Sequence, residues 1–292
     1  TKHMFYLFIS LIGSVIASIA YKASTEMGCR RMQHLLVERS ILVAGFACVG
    51  SALGGMALTV DVILLAVVAG ISLFVARWGL LKALSTGHAG VTYTFWNLSL
   101  VIPVLLCIFL WEEVPTAWQI IGLVLVPASL LLLRERVTPE MSPQRDLSRW
   151  ATIYPTLLCV GGEGIFSSCF KMMDVRGLEA SRNLFLILFN IVAVIAIVST
   201  TYLRGWSLPR KREYLAGAWS GLAFTFTGTF GILAVLQLPG IIFFPVASAG
   251  AILLTLLCTH LLWREKTSTA QKLGIALSVV VIVLVSSAGD VD

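Results

Sequence analysis

Charge is what this sequence has least of. Of its 292 residues, 12% are Asp, Glu, Lys or Arg and 58% are hydrophobic, giving a mean hydropathy of +0.93. A soluble domain carries roughly a quarter charged and about half apolar residues, and even a large core does not require charge to be this scarce. Composition therefore argues against a soluble protein with a greasy interior. Histidine is also scarce, at four (His3, His34, His88 and His260), and the four are scattered. A membrane enzyme needs clustered His, Asp or Glu, so that reading is thin and no catalytic residue is assigned. The six cysteines include no CxxC pair. Most of them stand in apolar runs, where Cys behaves as a small hydrophobe, so neither a disulfide framework nor a metal site is expected. There is no Walker A loop, HExxH, GxSxG or cofactor fingerprint. An ATP-driven pump would need a nucleotide site that this chain lacks, and no cofactor is implied.

The net charge is +6 and the pI about 9.1. Lys and Arg stand in short groups between apolar runs rather than along one face, so nucleic acid is not the expected partner. Basic loops on a membrane protein follow the positive-inside rule. The lipid bilayer is the expected surrounding.

A helix needs roughly 20 apolar residues to cross the hydrocarbon core. That ruler gives ten candidate spans, at 5–21, 36–57, 60–84, 89–110, 117–133, 151–172, 183–203, 214–236, 240–262 and 270–286. Thr1-Lys2-His3-Met4 reads as a lead-in ahead of a native start. Ala17-Ser18-Ile19-Ala20 resembles a signal-peptide cleavage site, but the many later spans favour retention of the first run as a helix. The expected fold is all-α and integral to the membrane, with ten transmembrane helices. Residues 5–133 and 151–286 form two five-helix halves, joined by a polar linker at 134–150.

The two halves echo each other. Leu110-Trp111-Glu112-Glu113-Val114-Pro115-Thr116-Ala117-Trp118-Gln119-Ile120-Ile121-Gly122 aligns without gaps on the segment from Leu262-Trp263 to Gly274, with Leu, Trp, Glu, Gln and Gly in register. Ala20-Tyr21-Lys22 pairs more weakly with Cys169-Phe170-Lys171. Five is odd, so two such halves sit in opposite orientations. Inverted repeats of this kind typify secondary transporters.

Each half closes on apolar-Glu-x-x-(Thr/Ser)-x-x-Gln-x-x-Gly, carried by Glu113, Thr116, Gln119 and Gly122, then by Glu265, Ser268, Gln271 and Gly274. With this motif and the duplication, the chain resembles the drug/metabolite transporter superfamily, especially its EamA-type branch. The resemblance implies a multi-pass carrier of small organic solutes in a plasma membrane of the bacterial inner-membrane kind, with a central cavity between the halves. It also implies cytoplasmic termini. The charge count implies the reverse, because the odd-numbered loops hold most Lys and Arg, among them Arg30, Arg31, Arg134, Arg136, Arg210, Lys211 and Arg212.

Ionisable residues inside spans are costly and usually face a cavity. Glu163, within Gly161-Gly162-Glu163-Gly164 of the sixth span, is the clearest, and its glycines leave the surroundings open and the helix easily broken. It is a coupling or substrate-amine candidate; the structural alternative ties it to an Arg or Lys. Arg77 in the third span is the natural partner, able to bind a substrate carboxylate or phosphate, pair with Glu163, or snorkel beside Lys82. In the fourth span Tyr93 and Asn97 share a face, with Trp96 adjoining, as a ligand wall or as an interfacial belt. Asn190, Thr225, Thr227 and Phe230 are weaker candidates, since Ser and Thr in spans often bond their own backbone. Lys22 and Lys171 sit at span ends as interfacial anchors, and His88 reads as a loop histidine. Pro103, Pro127 and Pro245 are expected kinks. Gly50-xxx-Gly54 and Gly217-xxx-Gly221 permit close packing. Glu113 and Glu265 are expected to cap the N-terminus of the helix that directly follows each and to steady the loop.

The functional expectation is a secondary-active exporter or exchanger of a small metabolite, such as an amino acid, with a proton as a candidate coupling ion. The alternative is a translocator of lipid or lipid-linked sugar. Neither the substrate nor the oligomeric state is legible.

Overall fold

A computed structural model describes residues 2–84, 99–133, 149–203, 205, 207–263 and 268–286. Ten α-helices and one short 3-10 turn are present among them, with no strand. They are α1 (Lys2–Glu26), α2 (Arg31–Leu53), α3 (Val60–Leu84), α4 (Val101–Phe109), α5 (Ala117–Leu133), α6 (Arg149–Val175), α7 (Arg182–Leu203), α8 (Lys211–Val235), α9 (Gly240–Trp263) and α10 (Thr269–Ser286). α1, α2, α3, α7 and α8 contain stretches long and apolar enough to cross a bilayer. Their outward faces carry large apolar side chains, including Phe8, Leu64, Val68, Leu203 and Leu222. In water such a surface would be an association hazard; against lipid tails it is solvated.

The helices gather into two compact units. The first comprises Thr1–Phe74 and Cys169–Leu238, the second Val75–Ser168 and Pro239–Asp292. Each draws on both halves of the sequence, and α3 and α6 contribute to both. In the first unit α8 packs on α1 and α2, and α2 also packs on α7. In the second, α5 packs along α10, and α9 meets α4, α5 and α10.

Small residues set these approaches. A Cβ on Gly217 would lie 2.7 Å from Val37 Cβ, and one on Gly221 would lie 2.8 Å from Ile41 Cβ, so this pair presses α8 onto α2. Gly50-xxx-Gly54 behaves differently. Gly50 faces Met56 and Asn183, whereas Gly54 ends α2 at φ 74, a left-handed geometry that favours glycine. Pro127, Pro155 and Pro245 all lie inside continuous helices. Bundled helices tolerate them because neighbouring groups re-satisfy the freed carbonyls.

Candidate functional site

In the second unit the C-terminal part of α3 crosses α6 at a glycine. A Cβ on Gly79 would stand 2.6 Å from the Pro155 carbonyl oxygen and 2.8 Å from the Cys159 nitrogen. The charges of both Arg77, two residues before the crossing, and Glu163, one turn after Cys159, reach the buried Cys159 thiol. Arg77 is itself engaged in an interaction. Glu163 is half-buried, and its Oε2 is enclosed without a hydrogen-bond donor. A carboxylate with an unmet lone pair beside a guanidinium can bind an ammonium group or a proton, while the guanidinium offers a fork to a carboxylate or phosphate.

The glycines around Glu163 do different work from that expected. α6 runs unbroken through them, from Arg149 to Val175. Gly164 packs directly against Ile102, so its missing side chain serves helix contact, whereas a Cβ on Gly161 would meet nothing within 4 Å. Among the described residues, α4 therefore closes the Gly164 side of this turn and none meets the Gly161 side.

Tyr93, Trp96, Asn97 and His88 lie outside the described residues, as does Glu265. Asn190 and Phe230 fall in the first unit, so they do not join Arg77 and Glu163 within the second. Phe230 sits in an aromatic group with Tyr6 and Phe226, at ring-centroid distances of 6.2 and 4.8 Å. Thr225 and Thr227 donate to the carbonyls of Gly221 and Ala223 on their own helix. Lys171 is buried and donates to Asp174 Oδ2 at 2.6 Å, an ion pair inside the protein rather than an interfacial anchor.

The first copy of the repeated motif supplies caps and contacts, and Glu113 caps α9 rather than α5, the helix that follows it. Glu113 Oε1 and Oε2 accept the backbone N–H groups of Gly240 and Ile241, at 2.9 and 3.0 Å, and so cap α9. Thr116 and Gln119 form a reciprocal box at the start of α5: the Thr116 N–H donates to Gln119 Oε1, and the Gln119 N–H donates to Thr116 Oγ1. Gln119 Nε2 also donates to the Val285 carbonyl, and Gly122 is pressed against Val285 and Leu284. Each of these residues builds the helix frame around α5, α9 and α10.

A second polar cluster, unassigned from sequence, is buried in the first unit. His34, Glu38 and Arg39 on α2 are buried. Arg39 Nη2 stands 2.9 Å from Glu38 Oε1, and Nη1 donates to Asn190 Oδ1 on α7 at 3.3 Å. Asn190 donates in turn to the Leu186 carbonyl at 2.7 Å. His34 Nε2 lies 3.1 Å from Ser220 Oγ on α8 and 3.7 Å from Glu38 Oε2. The signal was available, since His34, Glu38 and Arg39 share one helix face at the mouth of an apolar run. Starting the second span at residue 36 left His34 outside it.

No protein-family model matches the chain, and no curated protein matches it. A solved crystal structure is similar to it with a TM-score of 0.75 over 98% of this chain and 98% of its own, at 16% identity. At that identity the likeness carries the architecture and none of the chemistry.

Proposed function

We propose that this chain is a secondary-active carrier of a small organic metabolite in a plasma membrane, with Arg77 and Glu163 at its binding site. The observation that carries the reading is that two opposite charges, Arg77 on α3 and Glu163 on α6, both reach the buried Cys159 within an apolar helical protein. A lone ionised group at mid-bilayer costs roughly 2.5–3.5 kcal/mol on insertion scales, so such groups mark solute or ion pathways. Glu163 would take a substrate amine or a coupling proton, and Arg77 an anionic group.

The further reading is a ten-span carrier of two inverted five-helix repeats, of the EamA type within the drug/metabolite transporter superfamily. It draws support from a recurrence in packing. Gly70, the eleventh residue of α3, faces the Phe189 carbonyl and Val192, the eighth and eleventh residues of α7. Gly221, the eleventh residue of α8, faces the Glu38 carbonyl and Ile41, the eighth and eleventh residues of α2. The third helix of each half therefore meets the second helix of the other half at matching positions. The pairs α2 with α7, α4 with α9 and α5 with α10 likewise join equivalent elements. Duplicated halves related by a two-fold axis pack in this way.

Thermal stability of the purified protein against amino acids, polyamines, sugar phosphates, nucleotide sugars and lipid head-groups tests the reading. A ligand at 100 times its dissociation constant adds about 2.7 kcal/mol. One class is expected to stabilise the wild type and not Glu163→Gln. A ligand shift that survives in Glu163→Gln removes Glu163 from the site, and head-groups alone acting would favour a lipid translocator.

A further inference from the structure

The His34–Glu38–Arg39 cluster stands in the first unit, and its hydrogen bonding fixes one proton. Ser220 Oγ donates to the Gly217 carbonyl at 3.3 Å, and a carbonyl only accepts. The single hydroxyl proton is thereby used, so at the 3.1 Å contact Ser220 accepts and His34 Nε2 carries the hydrogen. In the neutral ring Nδ1 is then the bare nitrogen. It is buried with no hydrogen-bond partner. A buried lone pair without a donor is costly to keep, and a proton is the smallest ligand that meets it.

The counter-charge is already in place. Glu38 is fully buried, with Oε1 paired to Arg39 Nη2 at 2.9 Å and Oε2 lying 3.7 Å from His34 Nε2. Among the described residues, the other polar groups facing the pair are Arg39 on α2, Tyr21 on α1, Asn190 on α7 and Ser220 on α8. Glu38 and Arg39 sum to zero, so a proton on His34 creates the one net charge in the cluster. His34 lies in the first turn of α2.

We propose that His34 and Glu38 form a proton-binding site, in which a proton from water adds to His34 Nδ1 and the resulting imidazolium is held by the Glu38 carboxylate. The nitrogen lone pair forms the new N–H bond, and the only bond broken is that of the hydronium donor. Glu38 is then shared between Arg39 and His34. Under the carrier reading, on which this last step alone rests, the site holds the coupling proton and leaves the Arg77–Glu163 pair to the solute.

Nitrogen-15 NMR of the full chain with labelled histidine, in lipid nanodiscs, tests the proposal; the His34 signal is identified by its loss in His34→Gln. As the pH is lowered, His34 is expected to pass from one N–H to two, with Nδ1 gaining the proton. Glu38→Gln, which removes the opposite charge, is expected to reduce the fraction carrying two N–H groups at a given pH. Ser220→Ala, a milder change, is expected to reduce it as well, because the charged ring donates to that hydroxyl more strongly than the neutral ring does. A His34 that keeps one N–H at every pH at which the protein stays folded overturns the proposal, and so does a fraction unchanged in both variants. The titration needs no transport. A titrating His34 in a protein that moves no solute keeps the proton site and sinks the carrier reading, and a silent His34 in a working carrier does the reverse.

Discussion

Glu113 holds the N-terminus of a helix that begins 127 residues later, its carboxylate receiving the Gly240 N–H at 2.9 Å and the Ile241 N–H at 3.0 Å. The acid stands four residues before α5, yet the helix it caps is α9. In a protein with few charges, a conspicuous glutamate can therefore be part of the frame rather than of the chemistry.

Glu113→Ala leaves both N–H groups without that acceptor and is expected to cost about 1–2 kcal/mol. Glu113→Gln keeps an amide oxygen and should cost less. Unfolding in mixed micelles would rank the two. An alanine variant as stable as the wild type would mean that water caps α9 equally well.

Three glycines make a second set. Gly70→Ala and Gly221→Ala push a methyl into the neighbouring helix and should each cost about 1–3 kcal/mol. Gly161→Ala faces open space; since alanine is the better helix former by about 1 kcal/mol, it should be neutral or stabilising. Equal losses at all three positions would contradict the packing described for α3, α6 and α8.

Glu213 is buried and receives the backbone N–H of Arg30, the backbone N–H of Arg210, and the Arg30 guanidinium through Nε and Nη2. Glu213→Ala strands all of these donors and should lower the melting temperature sharply. Asp61 and Arg176 form an exposed pair at 3.2 Å, and Arg176→Ala should cost under about 1 kcal/mol because solvent screens such pairs. Comparable losses from the two changes would show that burial does not set the difference.

Much of the helical order was legible because apolar runs near bilayer length leave few other structures available. Glu163 and Arg77 were legible for the same reason, as rare charges that stand out against a lipid-like background. Contacts that depend on which helices meet were not. Nothing along the chain indicates that Glu113 reaches Gly240, or that Gly79 presses α3 onto α6 at Cys159. His34 was missed at a boundary, since a two-residue shift in where the second span begins decides whether it reads as loop or as buried, whereas Glu38 and Arg39 stood inside that span and were passed over near its start. Lys171 also misled, because a lysine near the end of an apolar run resembles an anchor until Asp174 is seen three residues on.

Arg77 and Glu163 should behave as one unit. Arg77→Met and Glu163→Gln, singly and together, are expected to show a coupling of about 0.5–3 kcal/mol in unfolding free energy. Strict additivity would mean that each charge is satisfied elsewhere.

The central claim is that the chain moves solute. Proteoliposomes loaded with a defined metabolite mixture, with efflux read by mass spectrometry against protein-free vesicles, test it most directly. The prediction is selective efflux of one chemical class with wild-type protein, reduced to the protein-free rate in Glu163→Gln. Efflux from wild-type vesicles that matches the protein-free control for every class would contradict it.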